Sequence, residues 1–189
     1  MGRPKLLLPF GDTTVAGALI ESLRNAGVER IVVVLAPGDA ALRSWLAGST
    51  GIEIAENPRP ERGMLSSVLC GVEALGGAAS LTASREPLLV TPADLPTIQP
   101  STIGRLLAVL GEGGAALAVP TYRGRRGHPL AIAARLVTEI AALDPAVGLR
   151  QLLARHPVVE LAVEDPGVVA DVDTPADYVR LDGDRRLRE

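Results

Sequence analysis

Arg30-Ile31-Val32-Val33-Val34-Leu35-Ala36, followed by Pro37-Gly38, is a continuous apolar and β-branched run closed by two turn formers. A run without polar alternation marks a strand covered on both faces, as strands of a parallel sheet are. Upstream, Thr14 to Ala26 carries Val15, Leu19 and Leu23 at helical spacing. Asp12 and Thr13 are its cap candidates, and Gly27 is suited to stop it. Downstream, the pattern predicts a helix from about Ala40 to Leu46, a short strand at Ile52 to Ala55, and a polar loop from Glu56 to Gly63.

The same rhythm continues. Leu65, Val68, Leu69, Val72 and Leu75 trace an amphipathic helix that Gly76-Gly77 closes. Pro87 to Thr91 reads as another buried strand, and Ile103, Leu106, Leu107 and Leu110 mark a helix after the loop Pro92 to Pro100. Further strands are expected at Ala115 to Val119, Pro129 to Ile132, Val158 to Val163 and Val168 to Val172. The Gly- and Arg-rich stretch Tyr122 to Gly127 reads as a loop, with helices at Ala133 to Ala142 and Val147 to Ala154. Pro175 opens a last helix at its favoured first position. Alternating strands and helices with right-handed crossovers give a three-layer α/β/α sandwich on a mostly parallel sheet. One domain over residues 1–182 is expected, with a charged tail over 183–189.

Composition narrows the function. The chain has 189 residues, 47% hydrophobic and 22% charged, as ordinary globular domains do. A net charge of -3 argues against a surface that coats nucleic acid. The longest apolar run, Ile31 to Ala36, falls far short of the roughly 20 residues of a membrane span. No secretory signal is read at the N-terminus. The lone Cys70 lies among apolar residues, where a buried, inert thiol is usual, so the cytoplasm is the expected compartment. Of 19 basic residues only Lys5 is a lysine.

In sheets of this kind ligands bind at the carboxyl ends of the strands, so the loops just after them are where chemistry is sought. Thr91-Pro92-Ala93-Asp94-Leu95-Pro96 fixes one carboxylate between two prolines; Asp94 is either an Asx-turn or helix cap, or a site carboxylate. Ala170-Asp171-Val172-Asp173-Thr174-Pro175 puts two carboxylates on one side of an extended backbone, although Asp173 equally reads as the N-cap of the helix at Pro175. Two carboxylate loops at one sheet edge suit Mg²⁺, which takes one or two carboxylates and completes its shell with phosphate oxygens and water. Gly2-Arg3-Pro4-Lys5 places a compact positive charge in a loop, either for a phosphate or as an ordinary exposed lysine. Ser66 and Ser67, after Gly63-Met64, either cap a helix or hold an anion or the edge of a base. Arg126-Gly127-His128-Pro129 is either a solvated hairpin tip or a recognition turn. His128 lacks the partners of a metal ligand, since the only other histidine is His156.

Taken in order, Met1 to Pro9, Gly63-Met64-x-Ser66-Ser67, Pro92-Ala93-Asp94-Leu95-Pro96, Arg126-Gly127-His128-Pro129 and Asp171-Val172-Asp173-Thr174-Pro175-x-Asp177-Tyr178 resemble the molybdenum cofactor cytidylyltransferase group of the MobA-like nucleotidyltransferases. The resemblance implies a Rossmann-like nucleotidyltransferase fold. It also implies Mg²⁺-dependent transfer of CMP from CTP to the phosphate of a molybdopterin-type cofactor, with release of pyrophosphate. By the same resemblance Lys5 contacts the triphosphate, Asp94 with Asp171 and Asp173 holds the metal, Ser66 and Ser67 bind the nucleotide, and Arg126 to Pro129 face the acceptor. A molybdoenzyme or its chaperone is the implied recipient. GTP-using guanylyltransferases of the same fold and a non-catalytic, nucleotide-binding accessory protein are the alternatives. The family opens with a strand and a loop, Leu-Ala-Ala-Gly-x-Ser-x-Arg-Met-Gly, and this sequence enters at its last two residues, Met1-Gly2. The expectation is therefore of a domain lacking its first strand and most of its phosphate cradle, through a start assigned too far downstream or as a shortened paralogue.

Overall fold

The Ile31–Leu35 run is a strand, and the alternation around it follows the expected order. The computed structural model describes residues 4–111 and 114–187. Its strands are β1 Pro9–Phe10, β2 Thr13–Thr14, β3 Ile31–Leu35, β4 Ile52–Glu56, β5 Leu88–Val90, β6 Leu117–Tyr122, β7 Arg125–Arg126, β8 Leu130–Ile132 and β9 Val158–Ala162. Its helices are α1 Val15–Asn25, α2 Ala40–Ala47, α3 Met64–Ala74, α4 Gly77–Ser84, α5 Pro100–Gly111, α6 Val137–Ile140, α7 Arg150–Arg155 and α8 Pro175–Arg186. Short 3₁₀ turns occupy Lys5–Leu7, Pro60–Arg62, Ala134–Leu136 and Pro166–Val169. The residues Met1 to Arg3, which begin the N-terminal motif, lie outside the described residues.

Period-2 alternation in β6 and β8 builds the three layers. Leu117, Val119, Leu130 and Ile132 pack with Leu65 and Val72 of α3, Leu81 of α4, Ile140 of α6 and Leu152 of α7. Ala118 and Ala131, pointing the other way, meet Leu106 and Leu110 of α5. Small residues on that face let α5 approach closely. A further cluster joins Ile31 and Leu35 of β3 to Leu19 and Leu23 of α1, Leu42 and Leu46 of α2, and Leu95, Ile98 and Val168 from the loops that carry the candidate site. The loops are therefore anchored by core side chains rather than draped over the surface.

The sheet is mixed, which corrects the expectation of a mostly parallel one. β3 and β4 are parallel, in register from Ile31 opposite Ile52 to Leu35 opposite Glu56, and β6 and β9 are parallel. β8 runs antiparallel between β5 and β6. The reason lies in the stretch read as a plain loop from Tyr122 to Gly127. Arg123 at φ 49° and Gly124 at φ 76° form a two-residue hairpin of the kind that needs positive φ at both positions, so Arg125–Arg126 pairs back on β6 and the chain returns as β8. Among the described residues β3 and β4 form a sheet of their own.

Other boundaries moved. The α1 cap is Thr14, which accepts from the Gly17 amide, rather than Asp12 or Thr13. Gly76 and Gly77, at φ 101° and 83°, end α3, yet Gly77 also begins α4, which buries Leu81. Cys70 is half-buried rather than buried. The strand expected over Val168 to Val172 is a 3₁₀ turn followed by irregular chain, because Asp165 accepts from the Gly167 amide and folds Pro166–Val169 into a turn. Gly167 has no alternative there, since a Cβ would lie 2.3 Å from the Thr97 carbonyl oxygen. The helices at Ala133 to Ala142 and Val147 to Ala154 shrink to the 3₁₀ turn with α6, and to α7. α8 continues through Arg186, so residues 183–186 are helical rather than tail, and Arg188 and Glu189 lie outside the described residues. Among the described residues no single helix is long and apolar enough to cross a membrane.

Candidate active site

Three residues far apart in sequence meet at one point. Lys5 Nζ donates to Asp94 Oδ2 at 2.7 Å and to Asp173 Oδ1 at 2.9 Å, across separations of 89 and 168 residues. Asp94 is held by the turn after β5, where buried Leu95 and Ile98 pin the backbone to the core. The Val172 amide donates to the Asp94 carbonyl at 3.0 Å, which ties the second carboxylate loop to the first. Asp165, 1% exposed, extends that brace by accepting from the Gln99 amide and the Thr102 hydroxyl.

The exposure of the three side chains differs in a way that matters. Asp94 is 15% exposed, Lys5 36% and Asp173 64%. Asp94 Oδ1 is buried with no hydrogen-bond partner, an expensive arrangement for a carboxylate oxygen unless a cation or donor reaches it. Burial alone would lower the Lys5 ammonium, but hydrogen bonds and charge from Asp94 and Asp173 outweigh it and raise Lys5 above the ordinary lysine value. The Lys5 hydrogen bond and charge, with Asp171 beside it contributing in the same direction, hold Asp173 below the ordinary carboxylate range.

Asp171 and Asp173 thus lie together, though on irregular chain instead of on the end of a strand. Asp173 is not the α8 cap. Thr174 takes that role in a reciprocal box, its hydroxyl accepting from the Asp177 amide while the Asp177 carboxylate accepts from the Thr174 amide. That leaves the Asp173 carboxylate available to the site.

The Arg126 to Pro129 turn divides. Arg126 points to β9, where its guanidinium donates twice to Glu160 Oε1 at 2.9 and 2.6 Å. Gly127 is forced by packing, since a Cβ would lie 2.3 Å from the Val168 carbonyl oxygen, and the His128 amide donates to that same oxygen at 2.8 Å. The His128–Pro129 peptide is cis. His128 lies within electrostatic reach of Asp94 and Asp171; burial lowers its imidazole below the ordinary value, against the raising effect of both carboxylates. Its Nδ1 is buried and unpartnered.

Ser66 and Ser67 stand in the first turn of α3, and their hydrogen bonds run to neighbours rather than to the carboxylates. Buried Asn57 donates from Nδ2 to Ser66 Oγ at 2.7 Å and to Ser67 Oγ at 3.0 Å, while the Ser66 hydroxyl donates to the Gly63 carbonyl at 2.7 Å. Asn57 itself is aligned by its amide's bond to the Leu35 carbonyl and by accepting from the Arg59 amide. Sequence reasoning missed Asn57, Asp165 and Glu160. Asn57-Pro58 after β4 is a visible turn signal, but nothing in residue type shows that the amide faces two serines.

Chemically, the cluster offers carboxylates on two loops, one with a spare buried oxygen, bridged by an ammonium. Among the described residues no three or more His, Cys, Asp or Glu side chains assemble into a metal cage. The donor set fits a hard divalent cation that keeps water or phosphate oxygens for the rest of its shell. Carboxylates and an ammonium so placed can neutralise and orient a polyphosphate.

A family model for the MobA-like NTP transferase domain matches residues 1–160. The molybdenum cofactor cytidylyltransferase of Escherichia coli (strain K12) is 25% identical over 181 residues, spanning 95% of this chain and 87% of that protein. A phosphoenolpyruvate guanylyltransferase of Rubrobacter xylanophilus is 32% identical over 167 residues, 87% of this chain and 76% of that protein. Among solved structures, the manganese complex of Rv0371c from Mycobacterium tuberculosis H37Rv superposes with a TM-score of 0.71 at 31% identity, covering 94% of this chain and 90% of that one.

Proposed function

This chain belongs to the MobA-like NTP transferase family and is a nucleotidyltransferase; from that premise we propose that it transfers CMP from CTP to the phosphate of a molybdopterin-type cofactor, releasing pyrophosphate. The observation that carries the reading is the convergence of Lys5 with Asp94 and Asp173, which puts one compact cation and two carboxylates from separate loops at a single point. Support for the cytidylyl branch comes from the likeness to the Escherichia coli enzyme over nearly the whole chain.

In this reading Asp94 and Asp173, with Asp171 beside them, hold Mg²⁺. An ion held there would supply charge neutralisation at the α-phosphate, so that an anionic acceptor could approach it. Lys5 steadies the triphosphate. Its flexible stem and single point charge suit an anion whose charge moves from the bridging to the leaving oxygens. Ser66 and Ser67 contact the nucleotide, and Gly127, His128 and Pro129 shape the acceptor side, with Arg126 at its rim. The acceptor phosphate is itself the nucleophile, so the protein's part is alignment and neutralisation.

The likeness to a phosphoenolpyruvate guanylyltransferase favours GTP as the second reading. Parallel pyrophosphate-release assays with CTP and GTP, using a molybdopterin-type acceptor, separate the two. Turnover with CTP at least about tenfold above GTP supports the first reading, and the reverse preference replaces it. Asp94→Asn should keep the fold and lower pyrophosphate release by about a hundredfold or more, the scale on which charge-stabilising groups act. Unchanged release in that variant would remove Asp94 from the site.

A further inference from the structure

The Lys5 ammonium fills the space in which a cation held by Asp94 Oδ2 and Asp173 Oδ1 would have to sit, since it lies 2.7 and 2.9 Å from those two oxygens. We infer that Lys5 is a resident counter-cation whose ammonium and the divalent ion exclude one another at this carboxylate pair, so the metal enters as Lys5 swings away. The inference rests on the proposal that Asp94 and Asp173 hold the metal.

Three features of the chain support an exchange over a permanent ion pair. Lys5 is 36% exposed, on a 3₁₀ turn at the surface, and its four-carbon stem lets the ammonium turn outward without refolding, whereas Asp94 is 15% exposed and fixed by its turn. Lys5 satisfies only Oδ2 of Asp94; Oδ1 stays buried and unpartnered, so the pair is incomplete in a way a multivalent cation can correct. Two cations side by side in a half-buried cleft also repel, which makes joint occupancy unfavourable. When Lys5 leaves, its natural new partner is an anion, and a polyphosphate arriving with the metal supplies one. The charge of the carboxylate pair is thus half offset by Lys5 until a metal-bound polyphosphate replaces the ammonium.

The composition makes the exchange directly observable. Lys5 is the only lysine, so incorporation of ¹³Cε,¹⁵Nζ-lysine gives one side-chain signal. Mg²⁺ binding is followed by calorimetry on the full chain, and the Lys5 signal is followed through the same titration. The expected result is that the signal moves to the position of a solvent-exposed lysine in step with Mg²⁺ saturation, and that Asp94→Asn shifts it part of the way with no Mg²⁺ added. Lys5→Met should bind Mg²⁺ at least about tenfold more tightly than the parent chain. Saturation with Mg²⁺ while the Lys5 signal stays put, or equal or weaker binding by Lys5→Met, overturns the exchange and leaves the metal site intact. Mg²⁺ binding that Asp94→Asn does not weaken overturns the metal assignment itself, and the exchange with it.

Discussion

Asn57 fixes Ser66: the buried amide donates to the serine oxygen at 2.7 Å, and the serine hydroxyl passes its own hydrogen to the Gly63 carbonyl. The second Asn57 hydrogen goes to Ser67 Oγ. Among the described residues the Ser67 hydroxyl donates to no protein acceptor, so of the two serines it is Ser67 that has a hydrogen to offer a ligand. Ser67→Ala should lower stability by about 1 kcal/mol, because it strands the second Asn57 hydrogen, and weaken nucleotide binding about fivefold to tenfold, the value of one hydrogen bond near 1 kcal/mol. Ser66→Ala should cost a similar amount of stability, because it strands the other Asn57 hydrogen, but change nucleotide binding less, because the Ser66 hydroxyl is already spent on the Gly63 carbonyl. Denaturation midpoints and nucleotide titrations on both variants check the split; equal effects on nucleotide binding would show the serines to be equivalent.

Asp165 is a brace rather than a site residue. It is 1% exposed and accepts from the Gln99 amide, the Thr102 hydroxyl and the Gly167 amide. Asp165→Ala leaves three donors unsatisfied and should cost about 3 kcal/mol, measured by chemical denaturation. Gly167→Ala should destabilise by a similar amount for a steric reason, since its Cβ meets the Thr97 carbonyl backbone. In either variant the Asp94 turn and the Asp171 loop lose their common support, so residual activity should fall further than stability alone accounts for.

Burial holds the His128 imidazole below its ordinary value of 6.5, and the charges of Asp94 and Asp171 only partly offset this. Between the folded and unfolded values the unfolded chain binds more protons, so stability falls as the pH drops through that window and is fully present above 6.5. His128→Gln should flatten the stability profile below about pH 6.5. A profile in the variant as steep as in the parent chain would assign the slope to another group.

The box at the start of α8 isolates Asp173 for the site. Thr174→Ala removes the hydroxyl that accepts from the Asp177 amide and should lower stability by about 1 kcal/mol. The measurement that distinguishes capping from site chemistry is Mg²⁺ affinity, which should change by less than about threefold, because Thr174 touches neither Asp94 nor Lys5.

The element order was legible in the sequence because it depends on local pattern. The unbroken run Ile31 to Leu35 reads as a strand and is one, although Val32 to Val34 are half-buried rather than covered on both faces, and Leu19 and Leu23, or Leu106 and Leu110, carry the helical period whatever surrounds them. Strand direction was not legible. It turned on two residues, Arg123 and Gly124, whose positive φ values make a hairpin and insert β8 antiparallel beside β5 and β6. The chain from Val168 to Val172 read as a strand because its apolar residues are β-formers, yet the Asp165 carboxylate, reaching the Gly167 amide, folds its first half into a turn.

The sequence by itself determined the residue types of the site: a single lysine in an arginine-rich chain, an aspartate between prolines, and an Asp-x-Asp before the last helix. Each of these had an equally good local explanation. What local reading lacks comes only from the tertiary structure, which brings Lys5, Asp94 and Asp173 within hydrogen-bond distance and gives Thr174, not Asp173, the capping role. The physical reason is that capping and periodicity are settled over three or four residues. A charge cluster spanning 168 positions, in contrast, exists only after the core has closed around the loops that carry it.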